Sequence, residues 1–342
     1  MSASTLPSGP GLPGGPAIAA PTAANDRAER RARILALLQS RGAILVLVVA
    51  ALAAGLAFPD FLHPGNLGDL ATAASFLGIV AIGQCFVLIL GGFDLSVGSM
   101  VGLGTVLAAY AQPYGALAGF AVPVLAGLGV GVVNGLLIVK ARMAPFIVTL
   151  ASLLALKGLS IVLAGESLVI ATPGLFGRIA NADWLGVRNL IVILVVAYAL
   201  AALVLNRTRY GSAVFAIGGN EEAARMLGVP VDRVKLATYC LSGALAGLGG
   251  ALLAAHLSSG LSSAGTGYEL QSIAACVIGG VLLTGGVGTL LGALAGVLLL
   301  GLIENVINQI GSLSAAYQGL ASGAFLLLAV IIQSGLTRTR VP

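Results

Sequence analysis

Charged residues are scarce in this 342-residue chain, where Asp, Glu, Lys and Arg together make up only 8% of the sequence. Hydrophobic residues make up 58%. About a quarter of the residues in a typical soluble domain are charged, so this chain has too little polar surface to be one. The composition indicates an integral membrane protein. The formal net charge of +5 is then better explained by membrane topology than by nucleic-acid binding.

Cysteine and histidine are also rare. Cys85, Cys240 and Cys276 fall in apolar runs and share no ligand spacing with His63 or His256, so we expect neither a disulfide nor a metal site. The phosphate-binding pattern G-x-x-x-x-G-K-[ST] is absent from the sequence, as is any Gly-Lys pair. We therefore expect this chain to bind no cofactor of its own.

Long apolar runs dominate the chain instead. A helix needs about 20 residues to cross the hydrocarbon layer, and the polar and Pro/Gly breaks divide residues 42–336 into ten spans of an all-α membrane domain. The predicted spans are 42–61, 69–90, 95–112, 116–139, 145–164, 189–206, 236–256, 269–284, 287–306 and 315–334. The boundary between the eighth and ninth spans is weak, which leaves open whether residues 269–306 cross the membrane fully twice.

Residues 1–41 precede the first span. Their first 25 residues are rich in Pro, Gly, Ala and Ser, which predicts a disordered cytoplasmic tail with a basic end. Arginines before an apolar run also occur in signal peptides, but the helices that follow favour an uncleaved first span.

The distribution of basic residues provides a test of the span count. Ten spans place both termini on one side, which the positive-inside rule assigns to the cytoplasm. The predicted inner segments then hold Arg27, Arg30, Arg31, Arg33, Arg41, Lys140, Arg142, Arg207, Arg209, Arg225, Arg233, Lys235, Arg338 and Arg340. Only Arg178 and Arg188 fall outside, and Lys157 lies within a span. The asymmetry supports ten spans, because nine or eleven would place Arg338 and Arg340 outside.

The stretch GGFDLSVGSM, residues 91–100, puts Asp94 at the predicted cytoplasmic end of the third span. An ionisable group in a membrane needs a partner, water or a function. We favour a structural role in which Asp94 is the N-cap of the third span and accepts from backbone N–H groups near residue 96 or 97. The alternative is that Asp94 and Ser96 line a gate at the cytoplasmic exit.

Other polar side chains inside the spans are costly unless they face protein or water. The candidates for contact with a transported solute are Gln84, Asn134, Ser152, Ser242, Gln271, Ser272, Asn305 and Asn308. We expect most of them to join helix to helix. Glu304 either faces the pathway or, as we favour, bonds to Asn305 or Asn308.

Two polar segments between spans are long enough to carry a function. The outer segment, 165–189, contains the only tryptophan, Trp184. This segment predicts a short surface helix and a turn, and the alternative is a gate or a docking surface for a soluble partner outside.

In the inner segment, 206–235, Asn220 is placed to cap a short helix whose first turn carries Glu221 and Glu222. Gly228 ends that helix. A capped helix on the cytoplasmic face is a surface element at its simplest, but it can also transmit force to another subunit.

Four stretches resemble signatures of the ribose-type permeases of bacterial ABC importers. They are GGFDLSVGSM, APFIVTLASLLALKG (144–158), AIGGNEEAARMLGVPVDRVKLATYCLSGALAGLGG (216–250) and GYELQSIAACVIGG (267–280). Their order and spacing match the family from about residue 75 to 334. Two positions depart from it, because Ala144 replaces the common Asn before Pro-Phe and Glu304 replaces a more usual neutral residue.

The resemblance implies a type II ABC importer-like permease in the bacterial inner membrane. Such a permease pairs with a second copy or a related permease and receives its substrate from a periplasmic binding protein. A separate ATPase, which binds the Mg-ATP, docks on its cytoplasmic loops. The implied coupling residues are Asn220, Glu221, Glu222, Arg225 and Gly228.

Three classes of function can be weighed against the sequence. An importer permease for a monosaccharide or a similar polar solute agrees best with it, with nucleosides or amino acids as alternative substrates. An ion-coupled secondary transporter should show buried carboxylates paired across inverted repeats, but Asp94, Glu269 and Glu304 are scattered. An intramembrane enzyme needs a catalytic pair such as Ser with His, and no such pair stands out.

Overall fold

The computed structural model describes residues 42–165, 167–171 and 174–310, together with 317, 319, 320, 323, 324 and 327. The predicted tail, 1–41, lies outside the described residues, and so does the predicted tenth span, 315–334, apart from those isolated positions. The helices are α1 (Gly42–Ala57), α2 (Pro64–Ile89), α3 (Val97–Ala111), α4 (Ala116–Val139), α5 (Pro145–Ala164), α6 (Leu175–Asn181), α7 (Asn189–Arg207), α8 (Arg209–Gly219), α9 (Glu221–Met226), α10 (Val231–Leu257), α11 (Tyr268–Ile278) and α12 (Leu290–Ile310). The strands are β1 (Val169–Ile170), β2 (Asp183–Trp184), β3 (Val187–Arg188) and β4 (Ser259–Gly260).

The helical class is confirmed. Six helices in the described part are long and apolar enough to cross a membrane, namely α2, α4, α5, α7, α10 and α12. The bounds of α4 and α5 are those predicted from the sequence, because each helix begins and ends at a clear Pro, Gly or charged break.

Three predicted spans are shorter as helices than expected. The first is helical over α1, Gly42–Ala57, the third over the 15 residues of α3, and the eighth over only the 11 residues of α11. Eleven residues rise about 16 Å, roughly half of the hydrocarbon layer. The helix cannot extend because left-handed glycines flank it, with φ of 90° at Gly267 and 89° at Gly280.

Non-helical backbone beside α3 and α11 is bonded to protein groups. Thr105 Oγ1 on α3 donates to Leu261 O (3.0 Å) and accepts from Leu261 N (2.9 Å). The N–H of Gly286 donates to Ile89 O (2.8 Å). Irregular backbone is tolerated at membrane depth where protein satisfies it, which explains why these segments need not be helical.

Helix α10 lies at the centre of the bundle, in contact with α2, α3 and α4. Its close approach to α4 depends on glycine, since a methyl group at Gly127 would overlap the carbonyl of Gly243, and one at Gly247 would overlap Pro123. The small-residue spacing Gly127, Gly131 and Gly135 therefore marks this interface.

The bundle has two ends. One, the basic face, carries the ends of α2, α4 and α7, the starts of α5 and α10, and all of α8 and α9. Its basic residues within the described part of the chain are Lys140, Arg142, Arg207, Arg209, Arg225, Arg233 and Lys235. The other, the opposite face, carries the start of α2, the end of α12 and residues 165–189, and its basic residues among those described are Arg178 and Arg188.

The two polar segments fold largely as predicted. In 165–189, of which residues 166, 172 and 173 are outside the described part, the short helix is α6 and the turn is the β2–β3 hairpin. In 206–235 the predicted short helix is α9, but α8 was not predicted. Helix α8 is amphipathic and buries Val214 and Ile217, and Thr208 caps it by accepting from Gly211 N (3.2 Å).

Candidate functional site

On the basic face, α9 is bounded at both ends by the residues that the sequence indicated. Asn220 is its N-cap, and its Oδ1 accepts from the backbone N–H of Ala223 (2.9 Å). Gly228 follows with φ of +80°, and the N–H of Val229 returns to Ala224 O (3.0 Å). This hydrogen bond and the left-handed glycine form a Schellman-type end, which fixes the length of the helix.

Ion pairs hold α9 against the start of α10. Glu221 pairs with Lys235 (2.7 Å) and with Arg225 (3.4 Å), and Arg225 also pairs with Asp232 (3.1 Å). The hydrogen bond from Lys235 holds the pKa of the Glu221 carboxyl below its usual range. Glu222 is exposed and has no ion pair within the described part of the chain. Glu221 and Arg225 therefore position α9, whereas Glu222 is available to a partner.

The apolar end of α9 was missed at the sequence level. Met226 is 81% exposed and Leu227 is 84% exposed, although both are large apolar side chains in a polar loop. Ala224 is the buried residue of the helix. Met226 lies two positions after the inward Ala224, about 200° around the helix, and therefore points outward; that spacing was the available signal for Met226. Leu227 is the C-cap, where the regular helical spacing ends.

A groove of about 590 Å³ lies beside α9. We call it the basic-face groove. It is lined by Ile138, Val139, Lys140, Arg142, Met143, Pro145, Glu221, Arg225, Asp232 and Lys235. The α4–α5 connection thus meets α9 and α10 at one surface, where basic side chains outnumber acidic ones.

The second candidate group lies inside the bundle. Asp94 is 1% exposed, and its Oδ1 accepts from the backbone N–H (3.0 Å) and hydroxyl (2.6 Å) of Ser96. Its Oδ2 accepts from Ser242 Oγ (2.7 Å). Asn134 Nδ2 donates to Ser96 Oγ (3.2 Å), and Ser152 Oγ donates to Asn134 Oδ1 (2.5 Å). These five side chains, the Asp94 network, connect α3, α4, α5 and α10.

The network corrects one prediction and confirms another. The N-cap of α3 is Ser96 and not Asp94, because the carboxylate bonds two residues ahead, before the helix begins. The expected bond to the N–H of residue 96 is present. The expectation that Asn134, Ser152 and Ser242 join helix to helix is confirmed.

Gln84 and Ser272 are also fully buried, each with 0% exposure. Ser272 donates to Glu269 O (3.1 Å), whereas neither polar atom of Gln84 has a hydrogen-bond partner in the described part of the chain. Neither residue lines the basic-face groove or the cavity described next. The structure supplies no contact that assigns Gln84 a role.

A third group surrounds a cavity of about 660 Å³ near the opposite face, the opposite-face cavity. Its wall includes Asp69, Arg188, Tyr268 and Glu304. Gln271 Nε2 donates to Glu304 Oε1 (3.4 Å), so two sequence candidates meet here. Asn305 instead exchanges hydrogen bonds with Asn66, at 3.2 and 2.8 Å. The favoured partner of Glu304 was therefore wrong for Asn305, because that side chain points toward α2.

This architecture, apolar helices interrupted by a capped polar loop, can be compared with that of known protein families. Residues 66–330 match the family described as branched-chain amino acid transport system / permease component. The chain belongs to this family. The permease assignment accounts for the helical bundle and for the polar segment that interrupts it.

Curated relatives of the permease span nearly the same length. They include the L-arabinose ABC transporter permease protein AraH of Azospirillum brasilense, 36% identical over 313 residues that cover 91% of this chain and 92% of that protein. The ribose import permease protein RbsC of Bacillus subtilis is 36% identical, covering 89% and 95%. The inner membrane ABC transporter permease protein YjfF of Escherichia coli is 37% identical, covering 82% and 87%. No solved structure matches the chain at a significant level. The predicted resemblance to ribose-type permeases is confirmed.

Proposed function

We propose that this permease is the membrane subunit of an ATP-driven importer that moves a monosaccharide across the bacterial inner membrane. The observation that carries the proposal is the 36% identity, over about nine tenths of the chain, to permeases named for L-arabinose and ribose. The family description names branched-chain amino acids, so amino acids and nucleosides are the alternative solutes.

The proposed topology has ten spans, with both termini and the basic face in the cytoplasm. The excess of Lys and Arg on the basic face supports this orientation. Cysteine labelling of intact cells with a membrane-impermeant maleimide tests it. Tyr114→Cys, at a site 88% exposed on the opposite face, should react, and Ser212→Cys, exposed on α8, should react only in inverted vesicles. The reverse pattern would contradict the orientation.

In the proposed assembly a separate ATPase docks on the basic face and binds the Mg-ATP, since this chain has no phosphate-binding loop of its own. Exposed Met226 and Leu227, on a helix held in place by the ion pairs of Glu221 and Arg225, provide an apolar surface of the kind that contacts another protein. A solute-binding protein delivers the sugar to residues 165–189, and a second permease, identical or related, completes the pathway.

Reconstitution tests the function directly. Vesicles carrying the permease with its ATPase and binding protein are supplied with pentoses, hexoses, nucleosides and branched-chain amino acids. Uptake of one sugar that requires both ATP and the binding protein is the expected result. Uptake restricted to an amino acid would show that the substrate is an amino acid and not a sugar. Uptake driven by an ion gradient without ATP would contradict the proposal of an ATP-driven importer.

Variants of α9 test the coupling. We expect Leu227→Glu to lower ATP-driven uptake about tenfold or more, because a charge would be buried at the contact with the ATPase. Arg233→Gln is the matched control, since Arg233 is exposed on the neighbouring turn of α10 and has no ion pair to a described residue. Equal uptake by Leu227→Glu and the unmodified permease would place the contact elsewhere.

A further inference from the structure

The β2–β3 hairpin presents large apolar side chains outside the bundle. Trp184 is 62% exposed, Leu185 is 88% exposed, and Val187 beside them is 43% exposed. The indole N–H of Trp184 donates to no described residue. Adjacent exposed apolar side chains of this size indicate a surface that contacts another molecule.

A two-residue turn fixes the shape of the hairpin. Leu185 has φ of +53° and Gly186 has φ of +80°, and positive values at both positions are what a tight turn of this kind requires. Asn, Asp or Gly is usual at the first position, whereas a leucine is strained there. The turn therefore keeps a large apolar residue where the local backbone favours a small one.

The alternation of side chains along β3 determines which face of the hairpin meets the bundle. Arg188 Nη1 lies 2.6 Å from Asp69 Oδ1, near the start of α2, and donates to Thr72 Oγ1 (3.2 Å). Val187 precedes Arg188 and points to the opposite face, because successive residues of a strand alternate. Trp184 pairs with Val187 across the hairpin and shares that face. Both side chains therefore point away from α2.

The hairpin leads directly into a membrane span. Helix α7 begins at Asn189, the residue after β3, and its 19 residues end at Arg207. A helix of that length rises about 28 Å, close to the thickness of the hydrocarbon layer. The hairpin therefore lies where α7 leaves the hydrocarbon and enters the interfacial layer.

The free side of α7 is apolar. The helix packs on α2, α8 and α12. Its large side chains that are at least half exposed are Val195, Val196, Leu200 and Leu203. A span exposes such a side to acyl chains. The apolar tip of the hairpin thus continues a lipid-facing surface, and the charged Arg188 lies on the side toward the bundle.

We propose that the β2–β3 hairpin is a membrane-interface anchor, in which Trp184 and Leu185 insert among the lipid headgroups beside α7. Tryptophan suits this layer because its ring packs on acyl chains while its N–H reaches lipid oxygen atoms. The anchor fixes the depth at which α7 enters the membrane. It depends on neither the solute nor the ATPase of the proposed importer, and the rest of residues 165–189 remains open to the proposed contact with the binding protein.

Tryptophan fluorescence tests the anchor in the unmodified chain, because Trp184 is the only tryptophan. The full chain is placed in phosphatidylcholine nanodiscs whose lipid is brominated near either the headgroup end or the methyl end of one acyl chain. Acrylamide reports contact with water. We expect bromine near the headgroups to quench Trp184 about twofold more than bromine near the methyl end, and acrylamide to quench it severalfold less than a tryptophan in water.

Two variants of Trp184→Phe calibrate the depth. Leu227→Trp places the ring on the polar loop at a position 84% exposed, and it should respond to acrylamide and to neither bromine. Leu200→Trp places the ring near the middle of α7, and bromine near the methyl end should quench it more. In the unmodified background, Leu185→Asn suits the turn but removes an apolar side chain, so acrylamide should quench Trp184 more strongly. Unchanged quenching would exclude Leu185 from the anchor.

Three results would overturn the anchor. Trp184 that behaves like Leu227→Trp lies in water, and Trp184 that behaves like Leu200→Trp lies in the hydrocarbon and not at the interface. The binding protein used for reconstitution distinguishes a docking surface from a lipid contact. Protection from acrylamide that appears only after this protein is added would assign the hairpin to protein docking.

We expect its addition to leave the bromine quenching of Trp184 unchanged.

Discussion

The Asp94 network and the opposite-face cavity are both polar clusters in an apolar bundle, but only one of them is closed. Both oxygens of Asp94 accept hydrogen bonds from side chains, and the residue is 1% exposed. Glu304 has one long hydrogen bond and borders open volume. The two clusters therefore differ in how much of their hydrogen-bonding capacity the described protein groups use.

The largest effect on stability should come from Asp94→Ala. The change removes the acceptor of two hydroxyls and one backbone N–H, and leaves those donors buried. We expect the free energy of unfolding to fall by about 4 kcal/mol. Denaturant unfolding in mixed micelles measures it.

Asp94→Asn provides the control, because an amide retains one acceptor and nearly the same shape. If Asp94→Ala keeps the stability of the unmodified chain but abolishes uptake, the carboxylate is a gate residue, and the contrast drawn between the two clusters fails.

The outer members of the network should matter less, in order of their distance from the carboxylate. Ser242→Ala removes a hydrogen bond to Asp94 itself, and we expect a loss of about 2 kcal/mol. Ser152→Ala removes a hydrogen bond between neutral groups, to Asn134, and should cost about 1 kcal/mol. Equal losses for the two serines would show that the carboxylate is not the centre of the network.

The sequence predicted most of this architecture but could not separate the two clusters. The bounds of α4 and α5, the Asn220 cap and the Gly228 stop follow from local rules, and they were confirmed. Asp94 and Ser242 are distant in sequence, so their pairing required the fold. The same is true of Gln271 and Glu304. The sequence left open whether residues 269–306 cross the membrane twice, and it could not place the end of α11, because an apolar run reads alike whether it is helical or folded back.

The ion pair between Asp69 and Arg188, beside the opposite-face cavity, is more open to water than the Asp94 network. The two side chains are 66% and 38% exposed. Water and salt screen such a pair. We expect Asp69→Asn to lower the free energy of unfolding by less than about 1 kcal/mol, and the loss to shrink at high salt. A loss as large as that of Ser242→Ala, independent of salt, would mean that this ion pair is shielded from water as fully as the Asp94 network.

The smallest effect on stability should come from Glu304→Gln, at the wall of the opposite-face cavity. The amide oxygen can still accept from Gln271, and the half-buried carboxylate no longer needs to be desolvated. We expect the free energy of unfolding to stay within about 0.5 kcal/mol of that of the unmodified chain. Thermal melting of Glu304→Gln beside Asp94→Asn makes the test. A loss near that of Ser242→Ala would instead show that Glu304 contributes to the structure of the bundle, as the Asp94 network does.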